Sequence, residues 1–503
     1  MRKTATLIGA GILMFGAAAC GSGGASASGG TSSVLTLAQS VPARPWDLAK
    51  ASIGPEAYYY QPVYDTLIRL DAQGAPAPNM ALSWSYDGPQ TTLTLKLRTG
   101  LTFTDGTALT AQVVKDNLLH TKGGADTAAA QLSDITGVEA VDDTTVAIKL
   151  GHPSPTLLPA LGQVSGMIAS PKALTDPQTP IGSGPYRLDT SATIAGQQYA
   201  YVRNPGYWNA RAFPYDTIVI KLLPDPTART NALLAGQING TLVSPQRVKT
   251  VQDAGMKTVV YSSGDIEGLF IWDRAGKKVP ALGNLKVRQA LNHAFDRQSI
   301  VKTVKMGLGK ATTQVFDPDQ PAYDASLDER YPYDPAKAKR LLAEAGYPDG
   351  FSVTMPDMAS LFPQQQAALT QALQNIGVKV TLQNLPTNQI FTTMLSGKYP
   401  MSFFKLGAPS DWGTVQLQLK KNATWNPAKY EDPKVDALIS RIESATGAPR
   451  AALMKQLNAY VVDQAWHAPW DVIRYVFATT KNVTVTPQPG FQYPPIYNFK
   501  PAH

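Results

Sequence analysis

Residues 333–350 (YDPAKAKRLLAEAGYPDG) contain the signals of one complete helix, and a strand pattern follows them directly. Asp334 and Pro335 are typical of an N-cap and a first turn, and Gly346 is typical of a helix stop. Between them, Ala338, Leu341, Leu342 and Ala345 form one apolar stripe. Residues 351–355 then have the composition of a strand. A helix followed at once by a strand favours a fold of mixed α/β class.

The same alternation of signals extends in both directions from this stretch. Apolar residues occupy every second position at 93, 95 and 97 and again at 146, 148 and 150. Further strand candidates are residues 217–223, 256–261 and 378–382, and further helix stripes lie within residues 287–295 and 432–442. Strands that alternate with helices of this length predict an α/β architecture.

The N-terminal segment has the layout of a secretory signal. Arg2 and Lys3 precede a short apolar run at residues 7–19, and a Gly/Ser-rich stretch covers residues 21–33. Cys20, the single cysteine of the chain, lies at the border between the two. This arrangement resembles a bacterial lipoprotein signal, although Ala17 stands where leucine is more frequent. We therefore predict a signal peptide at residues 1–19, lipidation of Cys20, a flexible tether over residues 20–33 and an extracytoplasmic, membrane-anchored protein. A buried free thiol is the alternative.

Size and charge exclude several classes of protein. The chain has 503 residues, so two or three domains are expected. The formal charge of +8 is scattered, and no long basic run alternates with aromatic residues, which argues against a nucleic-acid partner. No second long apolar segment follows Cys20, so the remainder is not expected to cross a membrane.

Several blocks of the sequence resemble those of one family and occur in the same order as in that family. They are residues 63–70 (VYDTLIRL), 79–84 (NMALSW), 95–110 (LKLRTGLTFTDGTALT), 181–188 (IGSGPYRL), 204–208 (NPGYW), 287–300 (VRQALNHAFDRQSI) and 333–350. Together they resemble the large family 5 solute-binding proteins of ABC importers, which include dipeptide, oligopeptide and nickel binders. Within these blocks, Gly182 and Gly184 are expected to adopt backbone dihedral angles that other residues avoid.

The resemblance implies a two-lobed periplasmic-binding-protein-like fold of type II, with a hinge of two crossings and a ligand held between the lobes. Lobe 1 would comprise residues 34–261 and 471–503, with an extra subdomain at about residues 52–171. Lobe 2 would comprise residues 262–470. Closure of such lobes is a hinge motion that the ligand favours through its contacts in the closed state.

Aromatic residues on irregular segments are candidates for the walls of the ligand pocket, because they give a large contact area at a small entropic cost. The run at Tyr58, Tyr59 and Tyr60 is one that no single helix or strand face is expected to bury entirely. The other aromatic candidates are Trp46, Trp272, Phe404, Trp412 and Trp425. Ordinary packing is the alternative for each of them.

Residues 403–413 (FFKLGAPSDWG) match the segment in which peptide binders of this family carry an aspartate for the peptide amine. Gly407 and Ala408 match that segment, but Pro409 stands at the aspartate position. Asp411 is either an equivalent of that aspartate displaced along the sequence or the counterpart of an acidic residue that the family carries later in the segment. The alternative is that Asp411 is an ordinary loop residue or a helix cap. Recognition of an ordinary peptide amine is therefore in question.

Other kinds of site have little support in the sequence. The five histidines have no i,i+3 or i,i+4 pair, so we predict no metal site and no cofactor, although a metal in a small chelator would leave no such signature. Nucleophile-elbow, zincin, Walker and dinucleotide motifs are missing, so we predict a protein that is not an enzyme. The hypothesis is a monomeric binding protein that captures a small solute, with peptides first and oligosaccharides or other solutes second, for an ABC permease. A secreted hydrolase and a solute sensor are the rival classes.

Overall fold

The computed structural model describes residues 33–386, 389–408, 410–445 and 447–502. The predicted signal peptide, Cys20 and nearly all of the predicted tether lie outside these residues. Among the described residues, no helix has both the length and the apolar character that a membrane span requires.

The strands of the described residues are, in chain order, β1 (Val34–Gln39), β2 (Ile68–Leu70), β3 (Pro76–Pro78), β4 (Ala81–Tyr86), β5 (Thr92–Leu97), β6 (Ile135–Asp142), β7 (Thr145–Leu150), β8 (Tyr186–Leu188), β9 (Gln198–Arg203), β10 (Thr217–Leu222), β11 (Gly240–Val243), β12 (Lys257–Tyr261), β13 (Asp265–Ile271), β14 (Gly309–Ala311), β15 (Ser352–Pro356), β16 (Lys379–Gln383), β17 (Met401–Gly407), β18 (His467–Ile473), β19 (Tyr475–Thr479), β20 (Val483–Val485) and β21 (Phe499–Pro501).

The α-helices of the same residues are α1 (Ala57–Tyr60), α2 (Ala111–Lys122), α3 (Thr127–Gln131), α4 (Leu157–Ala160), α5 (Pro171–Thr175), α6 (Pro226–Leu234), α7 (Val248–Asp253), α8 (Pro280–Gly283), α9 (Leu285–His293), α10 (Arg297–Thr303), α11 (Pro335–Glu344), α12 (Pro363–Asn375), α13 (Ile390–Leu395), α14 (Asp411–Thr414), α15 (Pro433–Ser444) and α16 (Gly447–Asp463).

Three larger sheets organise the residues that the structure describes. The first has seven strands in the order β12-β19-β11-β1-β10-β9-β8, the second has four in the order β14-β18-β13-β17, and the third has four in the order β4-β5-β7-β6. β1 pairs in parallel with both β10 and β11, whereas the second and third sheets are antiparallel. β15 and β16 form a separate parallel pair, and α12 connects them. The mixed α/β class predicted from the sequence is confirmed.

Within the described part of the chain, the backbone passes twice between the first and the second sheet. Residues 262–264 lead from β12 to β13, and Arg474 alone leads from β18 back to β19. The predicted second border, between Trp470 and Asp471, falls inside β18, because that strand continues its pairing with β13 and β14 up to Ile473. We use lobe 1 for residues 33–261 and 475–502 and lobe 2 for residues 265–473.

The third sheet belongs to a subdomain of lobe 1, which we define as residues 67–168. Its core is built by the leucines of β5 and the apolar residues of α2, β6 and β7. The predicted extra subdomain began earlier, at about residue 52. However, α1 packs in the main core of lobe 1, where its tyrosines contact residues of the first sheet.

Gly182 and Gly184 are required for a different reason from the one expected. Neither glycine lies in the left-handed region of φ. Instead, a Cβ atom would come 2.1 Å from the Val63 carbonyl oxygen at Gly182 and 2.4 Å from it at Gly184. The Gly184 N–H donates to that same oxygen at 2.8 Å. Close approach of two backbone segments therefore explains the glycines of this block.

Lobe 2 contains a buried cluster of charged side chains beside the second crossing. Lys305 Nζ lies 3.0 Å from Glu267 Oε2 and 3.8 Å from Asp471 Oδ2, and all three residues are almost fully buried. Burial and the charge of Glu267 raise the pKa of Asp471 well above its ordinary value. Burial alone would lower the pKa of Lys305, but Glu267 and Asp471 raise it. The ion pair of Lys305 with Glu267 therefore links the segment after α10 to β13, and Asp471 of β18 lies beside it.

Candidate ligand-binding site

A cavity of about 570 Å³ lies between the two lobes. Lobe 1 contributes residues of the subdomain, the end of β12 and the loop that contains Gln488, whereas lobe 2 contributes Asp319 and the segment around α14. The polar side chains of the lining are mostly amides and hydroxyls: Gln73, Gln131, Gln163, Gln416, Gln488, Thr156, Ser262 and Ser410. Such a wall can hydrogen-bond a polar solute of modest size.

The lobe 2 wall is built by a short helix and a distorted turn. Ser410 caps α14, and its Oγ accepts a hydrogen bond from the Gly413 N–H at 3.1 Å. A π-helical stretch at Val415–Leu419 follows directly. This geometry brings Ser410, Gly413 and Gln416 to the cavity. Wide turns of this kind are frequent at functional sites.

The subdomain wall contains a relay of side-chain hydrogen bonds that ends at the cavity. Ser165 Oγ donates to Gln131 Oε1 at 2.6 Å, and Gln131 Nε2 donates to Gln163 Oε1 at 3.1 Å. Gln163 is only 6% exposed, and its Nε2 has no hydrogen-bond partner among the described residues. The buried Oγ1 atom of Thr156 likewise has no hydrogen-bond partner among the described residues. Buried donors are nearly always satisfied, so these atoms mark a place for a ligand or water.

The lobes also contact each other directly beside the cavity. Asp134 of the subdomain is 6% exposed, and its Oδ2 accepts hydrogen bonds from Gln416 Nε2 at 3.1 Å and Trp412 Nε1 at 3.4 Å. Ser154 Oγ donates to the same oxygen at 2.7 Å. Burial would raise the pKa of Asp134, but hydrogen bonds from His152 and Ser154 and nearby positive charge lower it to about 2. Asp134 is therefore an ionised carboxylate of lobe 1 that accepts hydrogen bonds from two side chains of lobe 2.

The run at Tyr58, Tyr59 and Tyr60 is packed in the core of lobe 1. All three side chains are at most 1% exposed, so the expectation that the run could not be buried entirely is wrong. A four-residue helix can be enclosed on every side, which a long helix or strand at a surface cannot. The Tyr59 and Tyr60 hydroxyls donate to the carbonyl oxygens of Val41 and Pro45, at 2.9 and 3.0 Å.

The other predicted aromatic residues are also placed by packing. Trp46 is half-buried, with its ring 5.8 Å from that of Tyr60. In lobe 2, Trp272 stacks on Phe270 and donates to Ser402 Oγ at 3.0 Å, and Phe404 lies 4.4 Å from the Trp425 ring. The described lining of the cavity includes none of the eleven predicted residues. Their role as ligand contacts remains a prediction.

The segment 403–413 does reach the cavity, through neighbours of the predicted residues. Gly407 ends β17, where a Cβ atom would come 2.4 Å from the Gly264 carbonyl oxygen, and the buried Ala408 accepts from Gln320 Nε2 at 3.0 Å. Asp411 Oδ1 accepts from the Trp412 N–H at 2.7 Å, and burial raises the pKa of its half-buried carboxyl group. Trp412 is 1% exposed and packs among residues of α15 and α16.

Sequence reasoning missed the residues that line the cavity. Glutamines at 131 and 163 carry no motif, and their relay with Ser165 arises only from tertiary contact. The stretch Pro487-Gln488-Pro489 is a clearer signal, because prolines flanking a glutamine predict an irregular loop. Within the described residues, no group of three or more His, Cys, Asp or Glu side chains could hold a metal ion.

Comparison with known proteins gives a consistent result. The family described as "Bacterial extracellular solute-binding proteins, family 5 Middle" matches residues 75–426. The glutathione-binding protein GsiB of Escherichia coli (strain K12) is 28% identical over 458 residues, which cover 86% of this chain and 88% of that protein.

Solved structures share the fold. The periplasmic binding protein DppA from Helicobacter pylori in complex with peptide STSA matches with a TM-score of 0.82 and 22% identity, over 93% of this chain and 98% of that one. A dipeptide-binding protein from Pseudoalteromonas sp. SM9913 in complex with Met-Leu matches with a TM-score of 0.83 and 19% identity, over 93% and 100%. With a family match over more than half of its length, the chain belongs to the bacterial extracellular solute-binding proteins of family 5.

Proposed function

We propose that this protein captures a peptide in the cavity between its lobes and delivers it to an ABC permease in the membrane. The observation that carries the proposal is the cavity itself, which both lobes line and which contains unsatisfied hydrogen-bonding atoms at Gln163 and Thr156. Its volume of about 570 Å³ lies in the range that small-ligand sites occupy. Peptides come first because relatives of this chain bind glutathione, a dipeptide and a tetrapeptide.

Binding and closure are the whole of the proposed activity. Members of this family are binding components of transporters, and we propose that this chain likewise changes no bond of its ligand. The protein would act as a monomer, with no cofactor and no nucleic-acid partner. Lipidation of Cys20 would hold it at the outer face of the cell membrane, close to the permease.

A non-peptide polar solute, such as an oligosaccharide, is the second candidate. The amide- and hydroxyl-rich lining favours it, since such groups match the hydroxyls of a sugar.

The one carboxylate of the described lining, Asp319, is exposed and lies 3.8 Å from Arg474 at the second crossing. We propose Asp319 rather than the half-buried Asp411 as the group that would receive a peptide amine.

The experiment is a thermal-shift screen with glutathione, Met-Leu, the tetrapeptide STSA, maltotriose and nickel–histidine, followed by calorimetry. A ligand at a hundred times its Kd should stabilise the protein by about 2.7 kcal/mol. Mass spectrometry of the recovered ligand should show it unchanged. A response to maltotriose alone would favour the second candidate, and a chemically altered ligand would overturn the proposal of binding without chemistry.

A further inference from the structure

A histidine lies between two carboxylates that belong to different lobes. His152 Nε2 is 3.4 Å from Asp134 Oδ1 of the subdomain and 3.4 Å from Glu443 Oε1 of α15 in lobe 2. The imidazole also packs edge-on against the buried Trp412, at 6.0 Å between ring centres. The contact adjoins the cavity, because Gln416, which lines it, donates to the same Asp134.

The hydrogen bonds of the ring decide what the Nε2 atom can do. The other ring nitrogen, Nδ1, lies 3.2 Å from the Pro153 carbonyl oxygen, which can only accept, so Nδ1 carries a proton. A neutral His152 then presents an unprotonated Nε2 to two carboxylates. A protonated His152 instead presents an N–H and a positive charge to both. Its protonation therefore converts an unfavourable contact between the lobes into a favourable one.

Other charged groups around the contact complete its electrostatics. Lys420 Nζ lies 2.9 Å from the same Glu443 oxygen and 4.9 Å from the centre of the Trp412 ring. The guanidinium of Arg450, from α16, lies 4.7 Å from the centre of that ring. Burial lowers the pKa of Arg450, and the charges of Asp411, Asp134 and Glu443 oppose this change. The negative charges of Asp134, Glu443 and Asp411 thus face the positive charges of Lys420 and Arg450, with His152 at the border between the lobes.

We propose that His152, together with Asp134 and Glu443, forms a latch that closes the two lobes over the cavity and makes this closure depend on pH. The inference deepens the proposed function, on which it rests, by assigning a regulation to the same site. Closure depends on pH because Asp134 and His152 move with lobe 1, whereas Glu443 moves with lobe 2.

The direction of the pH dependence follows from the closed geometry. The hydrogen bond to Asp134 raises the pKa of His152 above its ordinary value, burial opposes this, and the charges of Asp134 and Glu443 add to it. The part due to Glu443 exists only when the lobes are closed, so the closed form binds the proton more tightly. The stabilisation of the closed form by this contact is therefore fully present below the pKa that His152 has in the open form. It is lost as the pH rises through the pKa that His152 has in the closed form.

The test measures closure without any added solute, so that it does not depend on the identity of the ligand. Dyes on Val141→Cys and Ala437→Cys, both exposed and in different lobes, would report the interlobe distance by energy transfer in a Cys20→Ser chain. Between about pH 5 and about pH 8, the ratio of closed to open protein should fall about tenfold for each unit by which closure raises the pKa of His152.

His152→Gln and Glu443→Gln should both remove most of this pH dependence. His120→Gln is the matched control, because His120 pairs with Asp47 at 2.7 Å within lobe 1 only, and it should behave as the wild type. Glu443 is 24% exposed in its side chain, so its variant should fold even if the His152 variant does not. A wild type that shows no change with pH, or a folded Glu443→Gln or His152→Gln that keeps the full change, would overturn the latch. Failure of every solute in the binding screen would instead overturn the proposed function and leave this readout intact.

Discussion

At the scale of single residues, buried polar groups fall into two kinds. The hydroxyls of Tyr59 and Tyr60 donate to carbonyl oxygens of their own lobe, so their hydrogen bonds are complete without a ligand. Gln163 differs, because its Oε1 is engaged by Gln131 while its Nε2 has no partner among the described residues. Gln163 also lines the cavity, so its unpartnered donor is available to a solute, unlike the hydroxyl of Tyr58 in the core, which also has no partner in the part of the chain that the structure describes.

Gln163→Met should weaken solute binding about five- to tenfold, because one hydrogen bond to the ligand, worth about 1 kcal/mol, is lost. Methionine has a similar length but cannot accept the hydrogen bond from Gln131 Nε2, so the free energy of unfolding of the free protein should fall by about 1 kcal/mol. Calorimetry with the best solute of the screen gives the affinity. The exposed Gln178→Met is the control, and equal affinity of the two variants would remove Gln163 from the site.

Lys305→Met should destabilise the protein by about 3–5 kcal/mol, because Glu267 would be left buried without its cationic partner. Urea unfolding measures the change. The control, Lys249→Met, breaks an ion pair with Asp253 on the exposed face of α7 and should leave the free energy of unfolding nearly unchanged. Similar values for both variants would show that the buried cluster contributes no more than a surface pair.

At the scale of elements, each helix and strand that local signals in the sequence predicted lies close to an observed one, although many other elements were not predicted. The helix predicted from Asp334 to Gly346 is α11, and the Asp334 carboxylate accepts from the Lys337 N–H at 2.7 Å. The alternating leucines at 93, 95 and 97 are the buried face of β5. These predictions succeed because caps, stops and alternation act within a few residues of the chain.

Gly346→Ala should lower the free energy of unfolding by about 1 kcal/mol, because Gly346 has a φ of +89° and alanine is strained in that region. No atom lies within 4 Å of the added Cβ, so the cost is conformational and not steric. Gly88→Ala is the matched control, since its Cβ also meets open space and its φ lies outside the left-handed region. Chemical denaturation of both variants measures the difference, and equal stabilities would contradict the argument.

At the scale of the whole molecule, the chain combines two lobes, two crossings and a proposed anchor. The first crossing is residues 262–264, and the second is Arg474 alone. Ser262 Oγ donates to the buried Asp317 of lobe 2 at 2.9 Å, and Arg474 faces Asp319 at 3.8 Å. Both crossings thus contact one loop of lobe 2, which contains Asp317 and Asp319.

Cys20→Ser should release the protein from the membrane, because a serine cannot carry the thioether-linked lipid. Detergent phase partitioning of bacteria that express each form should place the wild type in the detergent phase and the variant in the aqueous phase. Ser28→Ala, in the same Gly/Ser-rich stretch, should remain with the wild type. A Cys20→Ser chain that still partitions into detergent would contradict lipidation at this position.

The sequence by itself determined the α/β class, the positions of helices such as α11 and strands such as β5, and the resemblance to a family, because each depends on signals between near neighbours. Only the tertiary structure decided the cavity and the latch. Gln163, Gln416 and Gln488 are separated by tens or hundreds of residues, and they meet because three sheets and two crossings bring them together. The same packing enclosed Tyr58 in the core, since burial depends on every surrounding element and not on the residue's own segment.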